Sequence, residues 1–394
     1  MKTTIGLTAA VVAGALWACL GPVTPAAAYP PDPDNAALLY YQAFLLVPQT
    51  DDRALTDLVA NVANGATAPN DQVKEYVKKC QAALDSAVAA TQLQHCHWGL
   101  RYSKGFSAQM PHLAQIRSLS RLILADARIL DAEGNHRPAL ERCLTTYRLA
   151  GHVGDDVLIS FLVSVSVSAQ ATKCVTDILN QMPADAGTLT WLKGQLATVP
   201  AATLTASKAM ALEREVALDS LRPERVESLA QALATPGGKS VEEIRKAANE
   251  QVLGRAREYY SNFMGSVLAL LSGQTPYVEA HAKLQELAKQ MEQDAAKDPA
   301  VKLIETIAPA VTKMYVLQVR HKADVNALQA AIDLYIAKAG AGRLPQSLAA
   351  ASPRDPYTGN EFKYETTAKG FVLRCGAKDF DKNEIREYRF TTAK

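Results

Sequence analysis

The chain has 394 residues, of which 48% are hydrophobic, 21% charged and only 6% aromatic. This length exceeds the range over which one hydrophobic core usually grows, so two structural units are expected. The 42 Lys and Arg residues nearly balance 40 Asp and Glu, and the formal net charge of +2 gives no electrostatic support for binding nucleic acid or an anionic membrane. Low aromatic content favours packed helices over a β-sandwich.

The N-terminus has the pattern of a signal peptide. Lys2 precedes an apolar run at residues 5–20, which is short for a stable membrane anchor, and three alanines at residues 26–28 form a small-x-small cleavage pattern. We therefore predict a signal peptide over residues 1–28. The mature chain, beginning at Tyr29, is predicted to be periplasmic or secreted and to keep no transmembrane anchor.

Export makes the cysteines informative. Lipidation at Cys19 is a minor alternative to cleavage, because Trp17 is bulky for such a processing site. In an oxidising compartment the remaining cysteines can form disulfides, and helix-joining pairs of Cys80 with Cys96, or of Cys143 with Cys174, are both compatible with the sequence. Those residues and Cys375 can equally be small buried thiols.

Helical patterns begin directly after a Pro-rich leader. Asp34 or Asn35 is placed to cap a helix over residues 36–47, and short helices are expected at residues 52–63 and 71–90. The first elements of the mature chain are therefore predicted to be helices.

Residues 113–182 are predicted to be three adjoining helices around which the other elements pack. Residues 117–133 and 136–151, with Gly134 between them, are similar to a tetratricopeptide-type hairpin. Residues 163–168 alternate Val and Ser with period two, which alone would predict a strand. Their flanks have helical spacing, so we predict one long buried helix there.

Between these helical regions, residues 91–112 lack periodicity and concentrate reactive and aromatic side chains. The residues predicted to form a binding surface are His95, His97, Trp98, Arg101, Tyr102 and His112. Aromatic rings beside an arginine suit sugar or peptide binding, and imidazoles with the Cys96 thiol suit zinc or copper. The alternative is that these side chains fill a gap between helical hairpins.

The C-terminal end changes character. A long helix is predicted from residue 300 to residue 339, with a break at Pro309, followed by short alternating strands at residues 362–365, 370–375 and 387–390. The predicted fold is therefore mainly α, built of helical hairpins with tetratricopeptide-like packing, and ends in a small α+β module of short antiparallel strands.

The predicted domain organisation has three parts. The signal peptide covers residues 1–28, the α-helical domain residues 29–300, and the long helix with its small sheet residues 301–394.

Residues 325–381 resemble the C-terminal module of type II secretion major pseudopilins. The resemblance is carried by the order AAIDLYIAKAG, RLPQSL, DPYTGNEFKY and GFVLRCGAKD. It implies a calcium site in the loop after the second strand, where Asp379, Asp381 and Asn383 offer alternate oxygen ligands. The chain departs from that family because a signal peptide and a helical domain replace the N-terminal filament-forming helix, so the module is expected to lack a filament function.

A wider resemblance, to uncharacterised secreted proteins of planctomycete-type bacteria, covers most of the chain and implies no activity. It is carried by NAALLYYQAFLLVP, HWGLRYSKGF, MPHLAQIR, GHVGDDVLISFLVS and LTWLKGQL. No Gly-x-Ser-x-Gly or His-Glu-x-x-His motif is present, so we favour a non-enzymatic role. We expect a binding or scaffold protein of the cell envelope with an envelope protein or peptide as partner. The alternatives are an extracytoplasmic hydrolase with a site around residues 95–112, and an accessory to a type II secretion-like system.

Overall fold

The computed structural model describes residues 32–154, 156–199, 205–234 and 240–392. The predicted signal peptide at residues 1–28, including Cys19, lies outside them.

Fifteen α-helices account for most of the described residues, which confirms the mainly α prediction. In the first half these are α1 (Ala36–Leu46), α2 (Arg53–Ala63), α3 (Asp71–Lys79), α4 (Gln81–Ala90), α5 (His112–Ala132), α6 (His136–Gly154), α7 (Leu158–Leu179) and α8 (Ala186–Thr198). In the second half they are α9 (Ala206–Ser220), α10 (Val226–Leu233), α11 (Val241–Ala247), α12 (Glu250–Leu271), α13 (Tyr277–Ala295), α14 (Pro299–Ile307) and α15 (Val311–Ala341). Two short 3₁₀ helices, Tyr102–Ser107 and Pro223–Arg225, lie between them.

Helices α5, α6 and α7 form the centre of the helical packing. The turn between α5 and α6 places Gly134 at a φ of 81°, a left-handed conformation that glycine adopts without strain. Helix α7 is continuous through the Val-Ser alternation, as predicted. Its polar side chains are accommodated inside the bundle, since the Ser164 hydroxyl donates to the Ala150 carbonyl of α6 and the Thr172 hydroxyl donates to the Ser168 carbonyl.

Within the described ranges, α7 is the one helix long and apolar enough to cross a membrane, at 22 residues and a mean hydropathy of 1.5. More than half of its apolar window (56%) is buried inside this chain. It contacts α5, α6, α9 and α15. Core helices that are surrounded by other helices have this composition as well.

The C-terminal strands form one antiparallel sheet in the order β1 (Lys363–Thr367), β2 (Gly370–Asp379), β3 (Glu384–Thr391). This confirms the small C-terminal α+β module. Phe371 on β2 lies opposite Phe390 on β3, with ring centroids 5.1 Å apart. Tyr335 of α15 packs edge-on against Phe371, so the long helix covers one face of the sheet.

Two polar anchors fix this module. The fully buried Asp355 carboxylate accepts the backbone N–H groups of Tyr357 at 3.0 Å and Gly376 at 2.8 Å, and so ties the Asp-Pro-Tyr turn to β2. At the end of β3, the Thr391 N–H donates to the Asn180 side chain at 2.8 Å, and the Thr391 hydroxyl donates to the Asn180 carbonyl at 2.9 Å.

The described residues from Asn35 onward form one compact unit, to which residues 32–34 do not belong. A single hydrophobic core extends from Ala36 to Phe390. The predicted helical region and the predicted C-terminal region therefore share that core.

Candidate binding site

Asn35 anchors the predicted binding loop to the start of α1. Its side-chain oxygen caps the helix by accepting the Ala37 N–H at 3.1 Å, and it also accepts the His97 N–H at 2.8 Å. Its side-chain amide donates to the His97 carbonyl at 3.0 Å, while the Ala36 N–H donates to the His95 carbonyl at 2.8 Å. One asparagine thus satisfies a helix N-terminus and two backbone groups of a loop 62 residues away.

Trp98 is the central side chain of the loop and is buried, with 4% of its surface exposed. Its indole stacks between Tyr40 of α1 and His112 of α5, at centroid separations of 5.4 Å and 4.6 Å. The indole N–H donates to the His152 carbonyl at 2.9 Å. The Tyr40 hydroxyl is hydrogen-bonded to the His152 ring at 2.9 Å. The aromatic stack therefore joins α1, the loop, α5 and α6.

His112 is the polar member of this stack that the protein leaves unsatisfied. Its side chain is 1% exposed, and neither ring nitrogen has a hydrogen-bond partner in the described part of the chain. Burial lowers the pKa of His112 to about 4. The imidazole is therefore neutral near pH 7 and has one unused donor and one unused acceptor, a costly state for a buried group.

His112 lies at one end of a groove of about 420 Å³ between α1 and α5. We refer to this cavity as the groove. Its lining residues on α1 and the following turn include Tyr41, Phe44, Leu45, Val47 and Pro48; those on α2 and α3 are Thr56, Val59 and Tyr76; those on α5 are His112, Gln115, Ser118, Leu119, Arg121 and Leu122. The volume falls in the range of ordinary ligand sites.

Four hydrogen-bonding side chains of α5 line the groove at every third residue: His112, Gln115, Ser118 and Arg121. We call them the polar row. Nine residues of helix separate His112 from Arg121, a rise of about 14 Å, and because a helix turns about 100° per residue these two lie on opposite sides of the α5 axis. The Ser118 hydroxyl donates to the Ala114 carbonyl at 3.3 Å. The Arg121 side chain makes no hydrogen bond or ion pair with any residue that the structure describes. The lining of the groove thus includes an uncompensated positive charge and an unsatisfied imidazole.

The opposite wall of the groove is apolar and open to solvent. Leu45 of α1 is 85% exposed, and Phe44 beside it is half-buried. Single exposed leucines are common on protein surfaces, so the relevant feature is that Leu45 and Phe44 both line the cavity and give its α1 side an apolar surface. The two walls differ in chemistry and face a common space.

The other predicted binding residues do not join this site. His95, His97 and Arg101 are exposed, and the His97 ring accepts the Gly99 N–H at 3.2 Å. Burial, with a contribution from Asp156, raises the pKa of the Cys96 thiol to about 12, so it is not a ready metal ligand. Within the described ranges, no three His, Cys, Asp or Glu side chains are arranged to hold a metal ion.

Tyr102 lines a different cleft, of about 540 Å³, on the other side of the loop. Its hydroxyl donates to Asp156 at 2.5 Å, and burial together with this bond raises the pKa of Tyr102. Glu213 also lines the cleft and accepts the Leu158 N–H at 3.3 Å. Burial raises the Glu213 pKa, but its bond caps α7, and we assign it that structural role.

At the C-terminal end, the predicted calcium ligands contact an arginine. Arg320 of α15 donates two bonds to the fully buried Asp379 carboxylate, at 2.6 and 2.9 Å, and one to Asp381 at 2.8 Å. Burial alone would raise the Asp379 pKa, but Arg320 lowers it to about 2. The Asn383 side chain accepts from Lys378 at 3.3 Å. The positive charge predicted to come from calcium is supplied in the structure by Arg320.

The sequence indicated Trp98 and His112 as candidate residues but not the side chains that surround them. The three-residue spacing of the polar row is present in the sequence, but the helix that contains it was predicted from its apolar face alone. No sequence motif marks the residues of α1 that line the groove. Only the fold shows that Leu45 lies across from a helix some 70 residues later in the chain.

No protein-family model matches this sequence, and no curated protein or solved structure matches the chain. The resemblances to pseudopilins and to secreted planctomycete-type proteins stay predictions.

Proposed function

We propose that this chain is an exported binding protein of the cell envelope, and that its groove takes an extended apolar peptide segment ending in a carboxylate. One observation carries the proposal: the buried His112 imidazole, which has no hydrogen-bond partner among the residues that the structure describes, lines an open groove. Buried polar groups without partners are rare in folded proteins, and a ligand that supplies the missing hydrogen bonds explains this one.

The two walls favour a peptide over a purely apolar ligand. The polar row offers hydrogen-bond donors and acceptors to the groove, and an extended backbone presents N–H and C=O groups that can pair with them. Its apolar side chains would contact the opposite wall at Phe44 and Leu45. About four extended residues span the roughly 14 Å between the ends of the row. The Arg121 guanidinium suits a terminal carboxylate.

The chemistry of the groove supports binding over hydrolysis. His112 has no hydrogen-bonded nucleophile among the described residues, and with a pKa of about 4 it is a weak general base near neutral pH. The nearby Cys96 thiol is protonated at that pH.

The test is a titration of the purified protein with a mixture of acetylated tetrapeptides of leucine, valine, phenylalanine and alanine that have free carboxyl groups. Binding is read from tryptophan fluorescence, because Trp98 stacks on His112. Arg121→Gln should weaken binding at least tenfold, and its control Arg117→Gln, an exposed arginine outside the groove, should not. Amidated peptides should bind the wild type as weakly as free-carboxyl peptides bind Arg121→Gln.

A second pair of variants tests the apolar wall. Leu45→Gln should weaken binding, while Leu38→Gln, which alters an exposed leucine of the same helix outside the groove, should leave it unchanged. Equal binding by all four variants and the wild type, or no binding of any tetrapeptide, would rule the proposal out.

A further inference from the structure

Cys143 and Cys174 meet in the centre of the protein, at the contact between α6 and α7. Both are fully buried free thiols, and they lie close enough for each to shift the pKa of the other. The helices run antiparallel there: the Tyr147 hydroxyl, one turn further along α6, is hydrogen-bonded to Thr172 of α7 at 2.7 Å. The register of the hairpin therefore places the two sulfurs side by side.

A buried cation lies beside this pair. The Arg128 side chain of α5, 9% exposed, donates to Asp177 at 2.6 Å, and its Nε–H has no hydrogen-bond partner among the described residues. In the folded protein, Cys143 lowers the pKa of Cys174 and Arg128 adds a smaller effect in the same direction, while burial opposes both.

The other cysteines lack such a partner. Cys80 lies near the Tyr76 hydroxyl, and Cys96 lies near Asp156. Cys375 lies near Asp355 and Tyr388 in the C-terminal module. Of the two pairings that the sequence left open, the structure brings together only Cys143 with Cys174 among the residues it describes.

We infer that Cys143 and Cys174 form a disulfide that fixes α6 to α7. The oxidant is a disulfide-containing compound such as glutathione disulfide or an oxidised dithiol protein. One of the two cysteines attacks one sulfur of the oxidant and displaces the other as a thiol, and the second cysteine then displaces the remaining oxidant sulfur. One S–S bond forms in this chain, one is reduced in the oxidant, and the two thiol protons end on the two released thiols. Since both cysteines are buried, the exchange takes place before the helices close over them.

The inference is independent of the proposed peptide groove. It concerns the hairpin that carries His152, against which Trp98 and Tyr40 pack. A crosslink between two cysteines 31 positions apart in sequence reduces the conformational freedom of the unfolded chain and so stabilises the folded protein.

The test uses the full chain, refolded in a glutathione redox buffer, denatured with an alkylating reagent and no reductant, and digested for mass spectrometry. We expect a crosslinked peptide containing Cys143 and Cys174, with Cys80, Cys96 and Cys375 alkylated. Full alkylation of Cys143 and Cys174, or a crosslink of either to another cysteine, would overturn the inference. This measurement needs no variant and does not depend on mutant folding.

Thermal unfolding gives a second readout. The oxidised protein should melt roughly 5 °C above the reduced protein. Cys174→Ala should abolish this difference, and the matched variant Cys80→Ala, which also alters a buried cysteine, should retain it. Equal Tm values for oxidised and reduced wild type would count against the disulfide.

Discussion

The Trp98 indole lies nearly flat on the His112 imidazole, with ring centroids 4.6 Å apart and 20° between the ring planes. The loop residue thus closes over the first turn of α5 and shields the imidazole from water. Burial, to which this contact contributes, lowers the pKa of His112, a residue that also lines the groove.

Removing the indole should destabilise the protein strongly. Trp98→Ala deletes a buried aromatic ring and its bond to the His152 carbonyl, and we expect a loss of about 3–5 kcal/mol in the free energy of unfolding. Trp98→Phe keeps a stacking ring and should cost less. Urea unfolding at pH 7 measures both, and an alanine variant as stable as the wild type would contradict the central role of the stack.

The buried imidazole should make stability depend on pH. The folded-state pKa of His112 is about 4, below its ordinary value of 6.5, so the unfolded chain binds the proton more readily. The free energy of unfolding has its full value above pH 6.5 and decreases by about 2–3 kcal/mol as pH falls towards 4.

Replacing this residue isolates its contribution. In His112→Phe, the free energy of unfolding should fall by about 2–3 kcal/mol less between pH 7 and pH 4.5 than in the wild type. Urea unfolding at each pH measures this. His281, whose pKa burial also lowers, is unchanged in both proteins and serves as a constant background. If stability depended on pH equally in the two proteins, His112 would have its ordinary pKa in the folded state, which would contradict this prediction.

Calcium should have no effect on the C-terminal module. Because the Arg320 guanidinium already compensates Asp379 and Asp381, we expect the same Tm in excess chelator and in millimolar calcium. A chelator-induced drop in Tm would instead favour the calcium site that the pseudopilin resemblance implies.

Removing the same ion pair should destabilise the protein by an amount that depends on pH. Arg320→Met leaves the Asp379 carboxylate buried without its cation and should cost about 3–5 kcal/mol at pH 7. Burial then raises the Asp379 pKa, so the penalty should shrink as pH falls and the carboxyl group takes up a proton. Unfolding at pH 7 and pH 5 checks this, and a penalty that grows on acidification would refute it.

Asn35 should contribute more than an ordinary helix cap. Asn35→Ala removes the α1 cap and two bonds to His97, and we expect a loss of about 2–3 kcal/mol. Asn70→Ala, which removes only the α3 cap, should cost about 1 kcal/mol. Faster hydrogen exchange of the His97 amide in the first variant alone would locate the effect, and equal losses would contradict it.

Local patterns in the sequence predicted local structure well. The cap at Asn35, the break at Pro309 and the helix through residues 163–168 depend on neighbours within a few turns, and the structure has all three. The α+β end was also predicted, because turn chemistry and alternation specify short strands.

Contacts between distant residues were not predictable in the same way. The acidic spacing around Asp381 is compatible with calcium, and nothing nearby in sequence indicates that Arg320, about 60 residues earlier, reaches it. Likewise, residues 95–112 predicted a chemically mixed loop, but not that Trp98 would turn inward while His95 and His97 stayed outside. The direction of a side chain in an aperiodic segment is set by tertiary packing.

The bonds between Thr391 and Asn180 join residues 211 positions apart. Helices α5 to α7 contact near neighbours in sequence and can form early, whereas docking β3 on the end of α7 requires closing a loop of this length, which is slow. Until β3 docks, Phe390 is missing from the aromatic cluster that it forms with Phe371 of β2 and Tyr335 of α15. The C-terminal module is therefore expected to complete its packing in one of the last steps of folding.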